Sequence, residues 1–266
     1  MILNNISQIK LRKSNMTTFQ IVSDLHIEYK NDSVPDPLNY VIPSADVLIL
    51  AGDIGSLYKL AQFYEFMVKL CRYFEVVLFV PGNHEWYVVP DHEPLSMAEL
   101  QDRLNNMVRN IDNLYLLNRN SIMINDVCVC GATLWSNPKG RVPPFIVRIN
   151  GMNTRLYHTM HRKDLAYIKQ TMEYCARQKI KLLVVTHHPP TERVLKLTRK
   201  RKKFHSLYAT NLDYLLDVNK VNTWVCGHVH KNFDFYTDKG CRVVSNQKGK
   251  PKDRVRDYSL NFTIDL

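Results

Sequence analysis

Side chains that commonly bind metal ions follow five apolar runs of the sequence. In chain order these candidate donors are Asp24, His26, Asp53, Asn83, His187, His228 and His230. Carboxylate, amide and imidazole donors together suit Mn, Fe, Zn, Ni or Co better than Ca or a thiophilic ion. Metal ions held in this way activate water for hydrolysis. The residue types therefore predict a hydrolytic metal centre.

The spacing of the donors supports one shared site. Asp24 and His26 are separated by one residue, as are His228 and His230, so each pair projects to one side of an extended backbone. The carboxylate of Asp53 has two oxygens and can bridge two cations. Taken singly, a histidine is usually an ordinary surface or core residue, and an aspartate after a strand often only forms a turn. The complete set favours a site over coincidence.

The apolar runs have the length and composition of β-strands. They cover residues 18–22, 47–50, 76–80, 182–185 and 223–226. Runs 47–50 and 182–185 show little alternation, which predicts burial on both faces of a sheet. Strands that are aligned in a sheet bring the residues at their ends to one edge, where open α/β sheets place their sites.

Helical and further strand patterns complete the predicted architecture. Helical spacing covers residues 58–73, 96–108 and 153–177, and Ser96 with Glu99 forms a capping signature. We interpret His158 and His161 of the third helix as a polar surface pair. The second half is rich in closely spaced strands. We therefore expect an α/β fold, a two-layer mixed β-sheet sandwich flanked by helices.

Length and composition indicate one domain of an intracellular protein. The 266 residues suffice for a single core over residues 17–266, preceded by a loosely ordered leader of residues 1–16. No run is long enough to span a membrane, and no secretory signal is evident. The six cysteines form no CxxC pair and are expected to be reduced. These features indicate a cytoplasmic protein, and no protein partner can be inferred.

The net charge of +11 is concentrated in two clusters. Residues 199–203 form an uninterrupted basic run, and basic residues are spaced over 248–256. Such clusters favour an anionic partner, such as a nucleotide or nucleic acid, although a solvated loop explains them equally well. The run 199–203 also matches a nuclear-import signal.

Several motifs together resemble the calcineurin-like metallophosphoesterase superfamily. They are Asp24-Leu25-His26, Gly52-Asp53, Gly82-Asn83-His84-Glu85, Thr186-His187-His188-Pro189-Pro190 and Gly227-His228-Val229-His230. The resemblance extends from about Thr18 to about Val244 and implies the αββα fold of that superfamily. Within it, the chain looks more like the small single-domain phosphoesterases than like a Ser/Thr protein phosphatase.

The resemblance implies a dinuclear centre. The implied ligands are Asp24, His26 and His230 for one ion and Asn83, His187 and His228 for the other, with Asp53 shared. His187 is preferred to His188 as a ligand because it stands two residues before Pro189. A hydroxide that bridges two cations is a nucleophile at neutral pH, because coordination lowers the pKa of water to about 7.

The resemblance gives His84 a catalytic role without a metal ion. His84 would stabilise the transition state or protonate the leaving oxygen, a role typically worth about 10²–10⁴-fold. The alternative is a loop histidine that only hydrogen-bonds the backbone. Glu85 is expected to anchor the loop.

Two departures from the family pattern bear on the substrate. The sequence Gly52-Asp53-Ile54-Gly55-Ser56 lacks the second Asp and the Arg of the Ser/Thr phosphatases, which leaves the partner that orients His84 unidentified. Lys250 stands where related chains carry an aromatic residue.

The predicted function is hydrolysis of a nucleotide-like phosphodiester or phosphomonoester at the two metal ions. Predicted substrate contacts are His188, Lys248 and Lys250, and the aromatic residues considered for base stacking are Trp86, Tyr87, Phe204 and Tyr208. The alternatives are a nuclease guided by the basic clusters and a non-catalytic scaffold that retains the fold.

Overall fold

Two β-sheets form the centre of the protein in the computed structural model, which describes residues 6–11, 16–197 and 202–266. The strands in those residues are β1 (Ser7–Ile9), β2 (Thr18–Val22), β3 (Val47–Ala51), β4 (Val76–Val80), β5 (Leu114–Leu116), β6 (Asn120–Ile124), β7 (Val127–Ala132), β8 (Lys181–Thr186), β9 (Thr223–Val225), β10 (Phe233–Tyr236), β11 (Arg242–Ser245) and β12 (Thr263–Asp265). The larger sheet has the order β1-β6-β7-β8-β9-β11-β10 and the smaller has β12-β2-β3-β4-β5. Each sheet mixes parallel pairs with antiparallel ones, such as β6 with β7 and β12 with β2.

Helices cover the outer faces of both sheets. They are α1 (Leu60–Cys71), α2 (Met97–Arg109) and α3 (Thr154–Gln178). Leu48 and Leu50 of β3 belong to one buried cluster with Phe63 of α1 and Leu100 of α2. On the larger sheet, β7 and β8 belong to a second cluster with α3. This arrangement of helix, sheet, sheet and helix is the predicted αββα fold.

The core between the sheets explains why the strand segments are continuous apolar runs in the sequence. Val47 and Ile49 of β3 lie in the same cluster as Leu183 and Val185 of β8. Because alternate residues of a strand point to opposite faces, each strand needs apolar side chains both for this core and for the helices outside it. Burying each such side chain contributes about 1.5–3 kcal/mol.

Local signals in the sequence account for the helix ends. The Ser96 hydroxyl accepts from the Glu99 N–H at 3.3 Å, and the Glu99 carboxylate accepts from the Ser96 N–H at 2.8 Å, which confirms the predicted capping signature. The amide oxygen of Asn153 caps α3 by accepting from the Leu156 N–H at 3.0 Å. The first predicted helix is shorter than 58–73, because Leu57–Lys59 form a 3-10 turn before α1.

Two expectations differ from the structure. Within the predicted leader, Ser7–Ile9 pair in parallel with β6 as an edge strand, and three residues are too few to show a strand period in the sequence. Residues 1–5 and 12–15 of that leader lie outside the described residues. His161 is buried, and its Nδ1 contacts the carbonyl of Trp135, so the interpretation of a surface pair with His158 is wrong for this residue.

In the described parts of the chain, none of the helices has the length and apolar character needed to cross a bilayer.

Candidate metal centre

The predicted donors meet where strands of both sheets end. Asp53 and Asn83 follow β3 and β4 of the smaller sheet, and His187 follows β8 of the larger one. The imidazole Nδ1 of His187 is 2.9 Å from the carbonyl oxygen of Ala51, so a hydrogen bond joins the two strand ends across the sheets. All seven predicted donors lie in this region.

The backbone at the donors is unusual. Asp24, His26, Asp53, His228 and His230 have φ values of 55°, 49°, 55°, 74° and 54°. Residues with a side chain rarely adopt such left-handed conformations, which cost roughly 1–3 kcal/mol each. The turns direct the side chains of both sheets into one space, and the packing around them must offset that cost.

One group of donors surrounds the end of β2. Ligating atoms of Asp24, His26, Asp53 and His230 lie within 4.8 Å of one another. The Nε2 atoms of His26 and His230 are 3.1 Å apart, and His230 Nε2 is also 3.1 Å from Asp24 Oδ1. His26 Nε2 lies 3.7 Å from Asp53 Oδ2.

A second group adjoins the first through the same aspartate oxygen. His187 Nε2 is 3.3 Å from Asp53 Oδ2. The same nitrogen is 3.1 Å from Asn83 Oδ1 and 3.2 Å from His228 Nδ1. Asp53 Oδ2 therefore lies beside both groups, as a bridging ligand must.

The hydrogen bonds of the imidazoles fit bound cations. The Nδ1 atoms of His26 and His230 contact the carboxylates of Glu28 at 2.9 Å and Asp253 at 2.5 Å. With the proton of each ring on Nδ1, the Nε2 lone pairs of His26 and His230 face each other. A divalent cation held by these imidazoles and the nearby carboxylates would relieve that repulsion, so these residues suit divalent metal ions.

Electrostatics keep the carboxylate of Asp53 ionised. Burial opposes the ionisation of Asp53, but the charges of His187 and His84 outweigh it and hold its pKa well below the usual range. An ionised carboxylate is the form that binds metal.

Glu85 fixes the loops that carry Asp53 and Asn83. Its buried carboxylate accepts hydrogen bonds from the N–H groups of Asp53 (3.1 Å), Ile54 (2.7 Å), Gly55 (3.3 Å) and Gly82 (2.7 Å). The ends of β3 and β4 are thus held together by one side chain, in the anchoring role expected for Glu85.

Close packing leaves no room for a side chain at position 82. A Cβ atom there would collide with Oδ1 and the backbone nitrogen of Asp53. The glycine therefore allows the loop after β4 to approach the bridging aspartate.

His84 stands beside the metal centre and is held on three sides. Its N–H donates to Asp53 Oδ1 at 2.7 Å, and its ring Nδ1 is 3.2 Å from Glu28 Oε1. Its Nε2 lies 2.9 Å from the ammonium nitrogen of Lys250. Burial lowers the pKa of His84, although the charge of Asp53 opposes that shift.

Glu28 is the functional residue that sequence reasoning missed. Its Oε1 contacts both His26 and His84, so one carboxylate orients a metal donor and the histidine beside it. Burial disfavours its charge, but His26 and His84 lower its pKa to about 2. Glu28 stands two residues after His26, the same spacing that separates Asp24 from His26, and this repeat of ionisable residues was the signal in the sequence.

A cavity of about 360 Å³ opens beside both donor groups. Its wall includes Asp53, Asn83, His84 and His188, together with Tyr29, Tyr87, Phe145, Arg148, Tyr208, Lys250 and Lys252. The volume falls within the roughly 300–1,000 Å³ that is typical of small-molecule sites. Cations and aromatic rings thus line the cavity together with candidate metal donors.

The predicted substrate contacts occupy different places. His188 and Lys250 line this cavity, whereas Lys248 lines a neighbouring one. Burial, followed by the charge of His187, lowers the pKa of His188 to about 3, so its ring is neutral.

Of the four aromatic residues considered for base stacking, two line the cavity. Tyr87 and Tyr208 line the cavity. Trp86 is buried and Phe204 packs against the core, so neither offers an open face for a base. Phe145, which was not predicted, lines the cavity with 74 % of its surface exposed.

Comparison with known proteins identifies relatives of the chain. A model of the calcineurin-like phosphoesterase family matches residues 17–232. The uncharacterized protein L509 of Acanthamoeba polyphaga mimivirus is 26 % identical over 266 residues, covering 90 % of this chain and 93 % of that protein.

Solved structures show the same fold. Phosphopantetheinyl hydrolase from Mycobacterium tuberculosis has a TM-score of 0.73 at 17 % identity and covers 94 % of this chain and 96 % of its own. A dimetal phosphatase from Danio rerio has a TM-score of 0.50 at 13 % identity, with 86 % of each chain covered. The chain therefore belongs to the calcineurin-like phosphoesterase family and is a metal-dependent hydrolase.

Proposed function

We propose that this enzyme hydrolyses a small, nucleotide-like phosphomonoester or phosphodiester at a pair of divalent cations. The observation that carries the proposal is the position of Asp53 Oδ2, which lies 3.3 Å from His187 Nε2 and 3.7 Å from His26 Nε2, between the two donor groups. That position suits a carboxylate shared by two ions. Mn is the first ion to test, with Fe, Zn, Ni and Co as alternatives.

In this proposal the ligand sets are those implied by the sequence. Asp24, His26 and His230 hold one ion, Asn83, His187 and His228 hold the other, and Asp53 is shared. When bound, the ions supply the Lewis acidity that activates water and stabilises charge on the phosphoryl oxygens.

His84 is the residue that acts on the substrate without holding a metal ion. Its ring lines the cavity, and its contact with Glu28 fixes the ring nitrogen Nδ1 on the side away from the substrate. The Nε2 edge, with Lys250 beside it, then faces the leaving oxygen. With Nδ1–H directed at Glu28, His84 Nε2 accepts from the Lys250 ammonium, so a proton shared between His84 and Lys250 is placed to stabilise or protonate the leaving oxygen.

The lining of the cavity supports a small anionic substrate with a planar group. Arg148 and Lys252 add positive charge to its wall, and Tyr208 and Phe145 add aromatic surface for stacking. A relative of the same fold is a phosphopantetheinyl hydrolase, so phosphopantetheine esters belong in the substrate panel. Most of the basic run 199–203 lies outside the described residues.

The test is hydrolysis of p-nitrophenyl phosphate and bis(p-nitrophenyl) phosphate with each metal ion. We expect metal-dependent release of p-nitrophenol, loss of activity in Asp53→Ala, and a decrease of about 10²–10⁴-fold in His84→Ala. His158→Ala, which changes a half-buried histidine of α3 outside the cavity lining, is the matched control and should retain activity. Full activity in metal-stripped protein would reject the proposal.

A substrate panel then tests the finer assignment. It contains nucleoside monophosphates, cyclic nucleotides, dinucleotides, capped nucleotides, phosphopantetheine esters, RNA and a phosphopeptide. Preference for the small nucleotides supports the proposal, whereas preference for RNA or the phosphopeptide contradicts it.

A further inference from the structure

The second basic cluster of the sequence divides between two cavities. Lys250 and Lys252 line the cavity of the metal centre. Lys248 and Arg254 line a neighbouring cavity of about 380 Å³, and Lys250 lines that cavity as well. The side chain of Lys250 therefore separates a metal-binding cavity from a second one, which we call the lysine pocket.

The lysine pocket is cationic and lacks acidic residues. Its polar and aromatic lining comprises His26, Lys30, Tyr40, Lys248, Arg254 and Tyr258 together with Lys250. Within the described residues, no ion pair joins Lys30, Lys248 or Arg254 to a carboxylate. Several positive charges without an acidic partner favour an anionic ligand.

Lys248 is held in place by aromatic rings. Its Nζ lies 5.0 Å from the centre of the Tyr40 ring and 5.5 Å from that of Tyr258. The Tyr258 hydroxyl donates to the Tyr40 carbonyl at 2.6 Å, which joins the two rings. Burial, and then the charge of Lys30, lower the pKa of Lys248, consistent with a cation whose charge is not balanced by the protein.

The loop that carries these cations is tied to the metal centre. The Lys250 N–H donates to Asp253 Oδ2 at 3.0 Å, and the same oxygen lies 2.5 Å from Nδ1 of His230. The Lys248 N–H donates to the Ser23 carbonyl at 3.1 Å, next to Asp24. The pocket is therefore fixed relative to the predicted ligands, as a subsite for one substrate requires.

We propose that the lysine pocket binds a second phosphate group of the substrate, while the ester to be hydrolysed lies at the metal centre. The substrate class is then a phosphate ester with at least two phosphate groups. This inference rests on the proposed phosphoesterase activity of the adjoining cavity. A free phosphate ion has the same chemistry as the second group, so the experiment separates the two sources.

The experiment measures inhibition of p-nitrophenyl phosphate hydrolysis by matched nucleotides. Adenosine 5′-monophosphate is compared with adenosine 5′-diphosphate and adenosine 3′,5′-bisphosphate, each against the metal-loaded full-length enzyme. At least one of the doubly phosphorylated nucleotides should inhibit about 10-fold more tightly than the monophosphate, because charge-assisted hydrogen bonds are strong. Equal inhibition by all three overturns the proposal.

Variants of the pocket residues test whether the difference in inhibition between the nucleotides arises in the lysine pocket. The pocket variant is the double variant Lys248→Ala and Arg254→Ala. In it, the inhibition constant of the monophosphate should exceed that of the doubly phosphorylated nucleotides by only about twofold or less. The double variant Lys181→Ala and Lys239→Ala removes the same charge from exposed residues that pair with Asp126 and Asp217, and it should retain the wild-type ratio. The inference is contradicted if the ratio of inhibition constants falls in this control, or if the pocket variant keeps the wild-type ratio.

Two further readouts separate the remaining explanations. Non-competitive inhibition by inorganic phosphate that disappears in the pocket variant, with no advantage for the doubly phosphorylated nucleotides, indicates a separate anion site and overturns the proposal. Calorimetric titration of the same nucleotides measures binding without turnover. If the doubly phosphorylated nucleotides bind more tightly than the monophosphate but no ester is hydrolysed, the proposed activity is rejected and the proposed phosphate subsite is retained.

Discussion

At the scale of single residues, Glu28 connects the metal centre to His84, the residue proposed to act on the substrate. Its Oε1 lies 2.9 Å from His26 Nδ1 and 3.2 Å from His84 Nδ1. In the Ser/Thr phosphatases a second acidic residue follows the bridging aspartate, but here Ile54, Gly55 and Ser56 occupy that stretch. Glu28 reaches His84 from the preceding motif and supplies an acidic partner for its ring.

Glu28→Ala should lower kcat about 10–100-fold, because it removes the hydrogen bond that orients each of the two imidazoles. The loss should be larger for an alkyl phosphate than for p-nitrophenyl phosphate, since a poor leaving group depends more on His84. Glu28→Gln keeps one acceptor and should lose less activity. Steady-state kinetics with both substrates at saturating metal are the measurement.

The metal content of Glu28→Ala, determined by mass spectrometry, shows whether its decrease in kcat arises through His26 or through His84. Glu65→Ala alters an exposed residue of α1 that pairs with Lys69, and it should behave as wild type. An equal loss for both substrates with depleted metal would assign Glu28 to the metal centre alone.

At the scale of elements, the ends of β3 and β4 determine the geometry of the centre. Glu85 holds their backbone N–H groups, and Gly82 lets the second loop lie against Asp53. These two loops carry Asp53 and Asn83, donors of both groups. A small displacement of either loop therefore moves ligands of both ions.

Gly82→Ala should lower activity by roughly 10²-fold or more, because the added methyl group must push Asp53 away and displacements of about 1 Å have that effect. Gly140→Ala is the matched control, since nothing lies within 4 Å of a Cβ at that position. Activity and bound metal are measured in both variants. Normal activity in Gly82→Ala would show that the loops can move apart without harm.

Patterns in the sequence predict those elements whose residues repeat regularly. Residues 18–22 and 76–80 match β2 and β4 in full, because strands buried on both faces are continuous apolar runs. The donors were found because each stands at the end of such a run. The position of Phe145 in the cavity wall and the burial of His161 depend on contacts between distant segments, which leave no local period in the sequence. The three-residue strand β1 was missed for lack of length.

At the scale of the whole molecule, two separately built sheets share the metal centre. Asp53 and Asn83 belong to the smaller sheet, and His187 and His228 belong to the larger. Ions held by donors from both sheets bind only the folded chain. Metal binding should therefore stabilise the protein as a unit.

Chelation of the metal ions should lower the melting temperature by about 5–10 °C. A ligand at 100 times its Kd stabilises the native state by about 2.7 kcal/mol, and a protein of roughly this size shifts by about 2–4 °C per kcal/mol. Differential scanning fluorimetry with and without EDTA is the measurement. Asp53→Ala should show a much smaller shift, and an unchanged wild-type melting temperature would contradict metal binding between the sheets.

The hydrogen bond between Asp253 and His230 has a consequence for the boundary of the functional unit. The family match ends at residue 232, after the last metal-donor motif, yet the carboxylate that orients His230 comes 23 positions later than that histidine. Strand β12, nearer still to the carboxyl terminus, pairs with β2, whose end carries Asp24. A fragment trimmed to residues 17–232 would hold every candidate ligand and still lack the scaffold that aims them.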